Sequence, residues 1–303
     1  MVVCCLIWRL QNQYISMNDH TQDRWLNKHE KNVYSQSGED GVIETILKTL
    51  GLTPGFCVEF GAWDGKHLSN TYKLMEEGFS GVFIEGSKER FEDLKKTYGT
   101  NPNAHLINAY VGFDGDTSLD SLLAATPIPK DFVLLSIDID GNDYHVWDSL
   151  KKYIPSVVVI EYNPTMGAHV DFVQKKDMKV NQGNSLAALV RLGKEKGYEL
   201  VATTVRNAFF VRAQYFAQFS IQDNSSETLF SGRKYVVDFF QGYDGTFMFR
   251  GDTKAGWHAL PFGEKAFQIV PKIWRTFPGA MNPIQMCTFK VWRKIRNLLR
   301  RYI

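Results

Sequence analysis

Acidic residues follow four separate apolar runs in this chain of 303 residues. Each carboxylate stands where a buried strand would end, because short unbroken apolar runs are typical of strands in a parallel sheet. The residues concerned are Glu59, Glu85, Asp138 with Asp140, and Glu161 with Asn163. Since ligands of open α/β sheets bind at the carboxyl ends of the strands, we expect this set to mark a binding or catalytic site.

Two uses remain open for the polar residues that follow the last two runs. The oxygen ligands of Asp138, Glu161 and Asn163, completed by water, predict a Mg²⁺ site. Alternatively, Asp138 or Asp140 binds an ammonium group of a ligand, and His145 or Asp140 acts as the catalytic base. Carboxylates this close raise one another's pKa, so we expect a cation beside them in either case. His145 alone also fits an ordinary hydrogen-bonded role one turn into a helix.

Residues 56–87 have the pattern of one strand, loop, helix and strand unit. Gly61 and Gly65 lie in the turn after the first strand, where a close backbone approach needs glycine. Glu85 ends the second strand about 20 residues later, which is the layout of a carboxylate that accepts hydrogen bonds from ribose hydroxyls. This unit therefore predicts a nucleoside site with Gly61 and Glu85 as binding residues.

The same loop departs from a pyrophosphate site. Trp63 stands where that fingerprint needs a bare backbone, and Glu59 and Asp64 would repel a diphosphate. A cationic nucleoside without phosphate fits an acidic loop better. S-adenosylmethionine, with its sulfonium, ammonium and ribose diol, is such a ligand, and we expect Glu59 and Asp64 to contact it.

Further cofactor contacts are expected before and after this unit. Gln36 and Ser37 precede a helix that Ser37 would cap, and acids at a helix start need no ligand to explain them. Asp114 and Asp116 lie in a glycine-rich loop after the third predicted strand, residues 104–111. A solvated turn is the alternative for both aspartates.

Four linked segments resemble known methyltransferase motifs. VEFGAWDG followed by IEGS resembles the first two motifs of class I methyltransferases, and YSQSGED, DIDGNDYHVW and NAFFVR resemble segments of the FkbM and macrocin O-methyltransferase types. The similarity covers residues 34–216. It implies a Rossmann-like, mostly parallel sheet of seven strands with a C-terminal β-hairpin, flanked by N- and C-terminal extensions. The methyltransferase resemblance also implies that an adenine amino group binds in the loop of Asp114 and Asp116.

The resemblance also implies an activity. It predicts an S-adenosyl-L-methionine-dependent O-methyltransferase acting on a sugar hydroxyl of a bacterial surface glycan or a glycosylated natural product. One alternative keeps the fold and methylates nitrogen or a phosphate-type oxygen. Another is a catalytically inactive glycan-assembly scaffold, which the joint presence of Glu59, Gly61, Glu85 and Asp138 disfavours.

The chain order predicts four segments. A lead-in of residues 1–33 precedes the cofactor-binding core of residues 34–216, and an aromatic extension of residues 217–287 precedes a basic amphipathic helix of residues 288–303. Within the core, residues 165–183 separate a strand from a helix by too many residues for a simple connection. Such long loops are often lids over a site.

Charge is unevenly distributed along the chain. The net charge is +2, yet no Asp or Glu follows Glu264, so the body is acidic and the end is basic. An acidic core disfavours a nucleic acid as partner. The apolar stripe and basic flanks of residues 288–303 predict docking on an anionic membrane surface, with packing of the stripe on the core as the alternative.

Cysteine use and the first residues predict a cytoplasmic location. The cysteines at positions 4, 5, 57 and 287 lack metal-ligand or disulfide spacing. The opening MVVCCLIWRL is too short and lacks the basic start of a signal peptide, and Met17 is a second candidate for the natural start. Together with the basic end of the chain, this predicts a cytoplasmic protein that can bind the inner face of the cytoplasmic membrane.

Overall fold

The computed structural model describes residues 22–254, 256–258 and 260–299. The two candidate start residues, Met1 and Met17, lie outside the described residues, as do Cys4 and Cys5. Most of the lead-in and the last four residues of the chain also lie outside them. The chain forms two compact units that divide between Arg233 and Lys234. No helix in the described ranges is both long and apolar enough to cross a bilayer.

The first unit is built on a seven-stranded sheet with the order β3-β2-β1-β4-β5-β7-β6, counted over the described residues. Its strands are β1 (Phe56–Phe60), β2 (Ser80–Ile84), β3 (Ala104–Ile107), β4 (Leu134–Ile137), β5 (Val157–Glu161), β6 (Tyr198–Thr203) and β7 (Asn207–Arg212). All neighbouring pairs from β3 to β5 are parallel, and β7 is antiparallel to both of its neighbours. The predicted fold class, a Rossmann-like, mostly parallel sheet of seven strands with a C-terminal β-hairpin, is confirmed.

Helices and short turns connect these strands. The helices are α1 (Glu39–Thr49), α2 (Tyr72–Glu76), α3 (Lys88–Tyr98), α4 (Leu119–Ala124), α5 (Asp143–Ser149), α6 (Leu186–Glu195), α7 (Ser226–Leu229) and α8 (Pro283–Leu299). Serine hydroxyls cap α3, α4, α6 and α7 at their first turns, as expected for N-cap serines. At α1 the predicted cap is wrong, because Gly38 with φ of +99° occupies the N-cap position and no side chain caps the helix.

The sheet is buried on both faces. Alternate residues of one strand belong to two different apolar clusters, with Val58 and Phe60 on one face and Cys57 on the other. The residues Val157 to Ile160 of β5 are all fully buried, which explains why the strand is apolar throughout rather than alternating. Residues beyond the hairpin also pack into the first unit, since Phe219 and Leu229 are buried in these clusters.

The second unit contains a separate hairpin and the last helix. Strands β8 (Val237–Gln241) and β9 (Phe247–Gly251) pair antiparallel. Phe249 of β9 contacts the ring of Phe239 in β8 and the rings of Phe262 and Phe267 in the following segment. Among the described residues of this unit Phe249 alone is buried, with 9% of its surface exposed. Helix α8 begins at Pro283, five residues before the predicted start at residue 288.

Candidate functional site

A cleft opens at the carboxyl ends of the parallel strands. It has a volume of about 460 Å³, which is within the usual range of small-molecule sites. Its lining comes from residues after β1, β2, β3, β4 and β5 and from the turn between β6 and β7. The cleft lies where the strand order reverses direction, between β1 and β4, which is the usual ligand position in an open α/β sheet.

Gly61 brings the ends of three strands together. Its φ is +73°, and a Cβ built there would lie 1.9 Å from the backbone oxygen of Asp138 at the end of β4. Its N–H donates to the backbone oxygen of Ile84 in β2 at 3.1 Å. Only glycine fits this close approach, so the loop after β1 and the loop after β4 share one wall of the cleft.

Glu85 is buried at the end of β2 and lines the cleft. One carboxylate oxygen accepts from the N–H of Trp63 at 2.9 Å, and the other accepts from the N–H of Ser87 at 2.7 Å. Each oxygen has two lone pairs, so each retains one acceptor position. The carboxylate is therefore held rigidly by the loop after β1 and can still accept two hydrogen bonds from a ligand.

Glu59 lines the cleft as well, but its acceptor positions are largely used within the protein. One carboxylate oxygen accepts from the hydroxyls of Ser69 and Thr71 at 2.6 and 2.7 Å, and the other accepts from the N–H of Asn70 at 2.9 Å. Burial raises the pKa of Glu59, and these three hydrogen bonds oppose that rise. Glu59 therefore positions residues 69–71, and Asn70 in turn donates to the hydroxyl of Ser136 in β4.

The remaining predicted cofactor contacts are only partly brought together. Gln36 lines the cleft. Ser37, Asp64, Asp114 and Asp116 are not part of the lining that the described residues form. Asp64 instead accepts from the N–H groups of Lys66 and His67, at 2.9 and 2.7 Å. Asp114 and Asp116 are both exposed. The third strand ends at Ile107 rather than at residue 111. Ala109 and Tyr110 therefore follow the strand, and they line the cleft where the two loop aspartates do not.

Three carboxylates meet at the ends of β4 and β5. Each of Asp138, Asp140 and Glu161 offers an oxygen, and these oxygens lie within 4.8 Å of one another. Asn163 was expected in this group, but its Oδ1 accepts from both the N–H and the hydroxyl of Thr165, at 2.9 and 2.6 Å. Those two bonds fill its lone pairs, so Asn163 fixes a turn, and the group that can hold a cation is Asp138, Asp140 and Glu161.

Two carboxyl groups of this cluster, those of Asp138 and Glu161, have raised pKa values. Confinement by surrounding protein raises the pKa of Asp138 to about 8, and the charges of Asp143 and Asp140 add to the rise. Confinement, followed by the charge of Asp138, raises the pKa of Glu161 to about 10. Asp138 is exposed to the open cleft, so water there moderates the rise of its pKa. A cation bound among these groups would lower both values.

Asp143 differs from the cluster because its charge is compensated. Its two oxygens accept from the N–H groups of Ile139 and Gly141, both at 2.9 Å. Burial raises the pKa of Asp143 to about 6, against the effect of these bonds. Asp143 thereby holds the tight loop of residues 138–142, in which Asp140 has a φ of +56°.

His145 does not face the cleft in the part of the chain described. Its Nε2 lies 2.8 Å from the backbone oxygen of Gln174, and a carbonyl oxygen can only accept, so Nε2 carries the hydrogen. Its ring contacts the rings of Phe113 and Tyr144 edge to face. The expectation that His145 is the general base is therefore corrected, because its side chain packs the loop of residues 165–183 against α5.

That loop is pinned to the site at several points. The buried Gln174 accepts through Oε1 from the N–H groups of Gln182 and Gly183, both at 2.8 Å, and Asn184 donates to the backbone oxygen of Gly141. Met178 and Asn181 of the loop line the cleft. The loop therefore forms one side of the site, as a lid would, and whether it opens remains a prediction.

Asn142 provides an acceptor that the sequence pattern did not single out. It is buried and lines the cleft, and its Nδ2 donates to the backbone oxygens of Asp177 and Val180 at 3.2 and 3.3 Å. Its Oδ1 is buried and has no hydrogen-bond partner among the described residues. Such an atom is costly unless a ligand or water donates to it.

Other lining residues were also missed. His67 and Arg90 flank Trp63, with the guanidinium 4.7 Å from the indole centroid, and Arg206 lies in the turn between β6 and β7. Arg206 lowers the pKa of Asp138 and Glu161, although confinement outweighs it. The sequence indicated Arg206 only through its position in a hairpin turn. That turn lies at the same edge of the sheet as the other residues that line the cleft.

Comparisons with known proteins give distant structural matches. No protein-family model and no curated protein matches the chain. The N-terminal domain of EvdMO1 with SAH bound matches with 11% identity and a TM-score of 0.39, over 59% of this chain and 82% of that one. A SAM-dependent methyltransferase from Aquifex aeolicus matches with 12% identity and a TM-score of 0.36, over 61% and 94%.

A third match is the putative methyltransferase yhhF from Escherichia coli, with 16% identity and a TM-score of 0.34, over 60% of this chain and 90% of that one. Similarity at this level assigns no activity. The function therefore depends on the geometry of the cleft in this chain.

Proposed function

We propose that this protein is an S-adenosylmethionine-dependent methyltransferase. The observation that carries the proposal is Glu85, a buried carboxylate at the end of β2 that two backbone N–H groups hold in place while each oxygen keeps one lone pair. A rigid pair of acceptors at this position suits the two hydroxyls of a ribose. Gly61 lines the same cleft as Glu85.

The rest of the cleft fits a cationic ligand without phosphate. Tyr110, which is exposed, and Ala109 offer apolar surface for an adenine ring. Asp138 and the unpartnered Oδ1 of Asn142 offer acceptors for an ammonium group. Bound there, S-adenosylmethionine supplies an electrophilic methyl group on its sulfonium. A diphosphate would face the carboxylates of Glu59, Glu85 and Asp138, which disfavours a dinucleotide.

We further infer that the acceptor is a hydroxyl, as in O-methylation of a sugar. A hydroxyl must lose its proton during transfer, and carboxylates with raised pKa values are suited to receive it. In their ionised forms Asp138 and Glu161, whose pKa values are raised, can receive this proton, and an oxygen of Asp140 lies within 4.8 Å of theirs. The substrate class that we propose, on the resemblance of the sequence motifs to FkbM-type O-methyltransferases, is a sugar hydroxyl of a bacterial surface glycan or of a glycosylated natural product.

The same three carboxylates fit a Mg²⁺ ion. Oxygen ligands at about 2.1 Å from Mg²⁺ lie up to about 4.2 Å apart, so small side-chain rotations would bring these three into one shell. Their donor chemistry is that of a hard cation. In that arrangement the ion would hold the acceptor hydroxyl and lower its pKa, and Asn142 would carry more of the contact to the ammonium group.

Calorimetric titration with S-adenosylmethionine tests the proposal through Glu85. The variant Glu85→Gln keeps the side-chain volume and one acceptor oxygen, whereas alanine would leave two N–H groups unpaired. Loss of hydrogen bonds to a charged group costs about 1.5–3 kcal/mol, which is a decrease in affinity of about 10- to 150-fold. The control is Glu92→Gln, whose side chain is 62% exposed on α3.

The outcomes separate two claims. If the unaltered protein binds neither S-adenosylmethionine nor its demethylated product, the proposed function is wrong. If it binds and Glu85→Gln binds equally well while remaining folded, the function stands and the role of Glu85 is wrong. We expect tight binding by the unaltered protein and by Glu92→Gln, and weak binding by Glu85→Gln.

A further inference from the structure

Helix α8 has a face of apolar side chains that remains open to solvent. Its exposed apolar residues are Ile284, Val291, Ile295, Leu298 and Leu299, which are 75, 53, 53, 58 and 59% exposed. At 3.6 residues per turn these five lie within an arc of about 100°, and we call them the apolar stripe. An amphipathic helix of a soluble protein usually turns such a face towards its core.

The packing of α8 within its own unit runs along one edge of this arc. Trp274 contacts the rings of Phe289 and Trp292, at centroid distances of 6.3 and 5.4 Å, and its Nε1 donates to the hydroxyl of Thr288 at 3.0 Å. At 3.6 residues per turn Thr288 lies inside the arc, and Trp292 and Phe289 lie beyond its Leu299 edge. These contacts therefore fix the helix along that edge, and the five side chains of the stripe remain exposed. Trp292 belongs to this internal contact and not to the apolar stripe.

The charge around the stripe has one sign. The helix carries Lys290, Arg293, Lys294 and Arg296 and has no acidic residue. Residues 234–303 contain 12 Lys and Arg against four Asp and Glu, while the remainder of the chain is net acidic. The long side chains of the Lys and Arg residues of α8 can extend along the helix so that their charged ends lie level with the apolar stripe.

We propose that the second unit docks on an anionic membrane surface, with the apolar stripe inserted at the headgroup level and the helix cations on lipid phosphates. An apolar arc flanked by uncompensated cations is the pattern of helices that lie in a membrane interface. A neutral apolar partner would use the stripe and leave the cations without a role. This proposal is independent of the activity of the cleft.

Co-sedimentation with vesicles tests it on the full chain. The probes are vesicles of phosphatidylcholine alone and of an equimolar mixture of phosphatidylcholine and phosphatidylglycerol. We expect binding to the mixed vesicles and not to the neutral ones, with loss of binding at high salt. Each cation near the surface contributes about fivefold in partitioning, so Lys290→Gln with Lys294→Gln should weaken it about 25-fold.

The stripe is tested separately from the charge. Ile295→Ser with Leu298→Ser removes two exposed apolar side chains, so the fold should persist, and we expect a loss of partitioning of about tenfold or more. The matched control is Ile154→Ser, an apolar residue of the first unit that is 51% exposed. It should bind as the unaltered protein does.

Three results would overturn the proposal. They are equal sedimentation with neutral and anionic vesicles, full binding by both double variants, and an absence of binding at low salt. Ultracentrifugation without lipid distinguishes the main competitor. If the unaltered chain is an oligomer that Ile295→Ser with Leu298→Ser dissociates, and vesicles are not bound, the stripe joins two copies of the chain.

Discussion

Replacing Gly61 by alanine tests the close approach on which the cleft depends. The added Cβ would lie 1.9 Å from the backbone oxygen of Asp138, whereas ordinary contacts begin at about 3.4 Å. The obstacle is backbone, so no side-chain rotation removes it. The loop after β1 and the end of β4 would have to separate by more than 1 Å.

The cost has two parts that can be measured apart. A non-glycine residue at a left-handed φ costs about 1–2 kcal/mol. Forcing extra volume into a packed site typically adds about 1–3 kcal/mol. Gly51 and Gly197 have φ of +62° and +79° and no atom within 4 Å of a built Cβ, so their alanine variants carry only the first part. We therefore expect losses of about 2–5 kcal/mol for Gly61→Ala and about 1–2 kcal/mol for the two controls.

Urea unfolding of the three variants measures these losses directly. Domains of this kind are stable by about 5–15 kcal/mol, so Gly61→Ala should remain folded at low temperature and be open to calorimetry. We expect it to bind S-adenosylmethionine more weakly than either control, because its strand ends are displaced. A loss of stability for Gly61→Ala no greater than that of the controls would show that β1 and β4 do not approach as described.

Two further predictions concern charge. If Asp138, Asp140 and Glu161 hold Mg²⁺, a chelator should abolish methyl transfer and Mg²⁺ should restore it, and full activity in excess chelator would rule out a required ion. Burial lowers the pKa of Lys196 to about 8 in the folded protein, below its usual value of about 10.4 when unfolded. At this side chain the unfolded chain then binds more protons between these values, so the stability of the unaltered protein relative to Lys196→Met should rise with pH from about 8 to about 10.

The sequence sufficed for the sheet and for where its site lies. Unbroken apolar runs such as VVVI in β5 identify strands that are buried on both faces. Parallel strands of this kind share one carboxyl edge, so the residues that end them meet without any knowledge of packing. Glu85 and the pair Asp138 and Glu161 follow from that rule alone, and the structure places all three in the cleft.

The errors arose where a side chain's partner is distant or irregular in the sequence. His145 is bonded to Gln174, which is 29 residues away in a loop with no periodic pattern. The Oδ1 of Asn163 accepts two hydrogen bonds from Thr165, two residues later, in a turn that a strand pattern does not reveal. Residue type and spacing indicate which polar groups reach the edge of the sheet. The loops determine which of these groups already have hydrogen-bond partners within the protein and are therefore not available to a ligand.

That distinction also explains why the cleft calls for a cation. Glu59, Glu85 and Asp143 each accept at least two hydrogen bonds from the protein, and those bonds stabilise their charged forms. Asp138 and Glu161 have no such bonds among those described in the structure, and their pKa values are raised to about 8 and about 10. At neutral pH these two must either hold protons or face a positive group. A sulfonium nucleoside with an ammonium group, or a Mg²⁺ ion, would add to the effect of Arg206 and favour the ionised forms, whereas a neutral or anionic ligand would leave the two groups protonated.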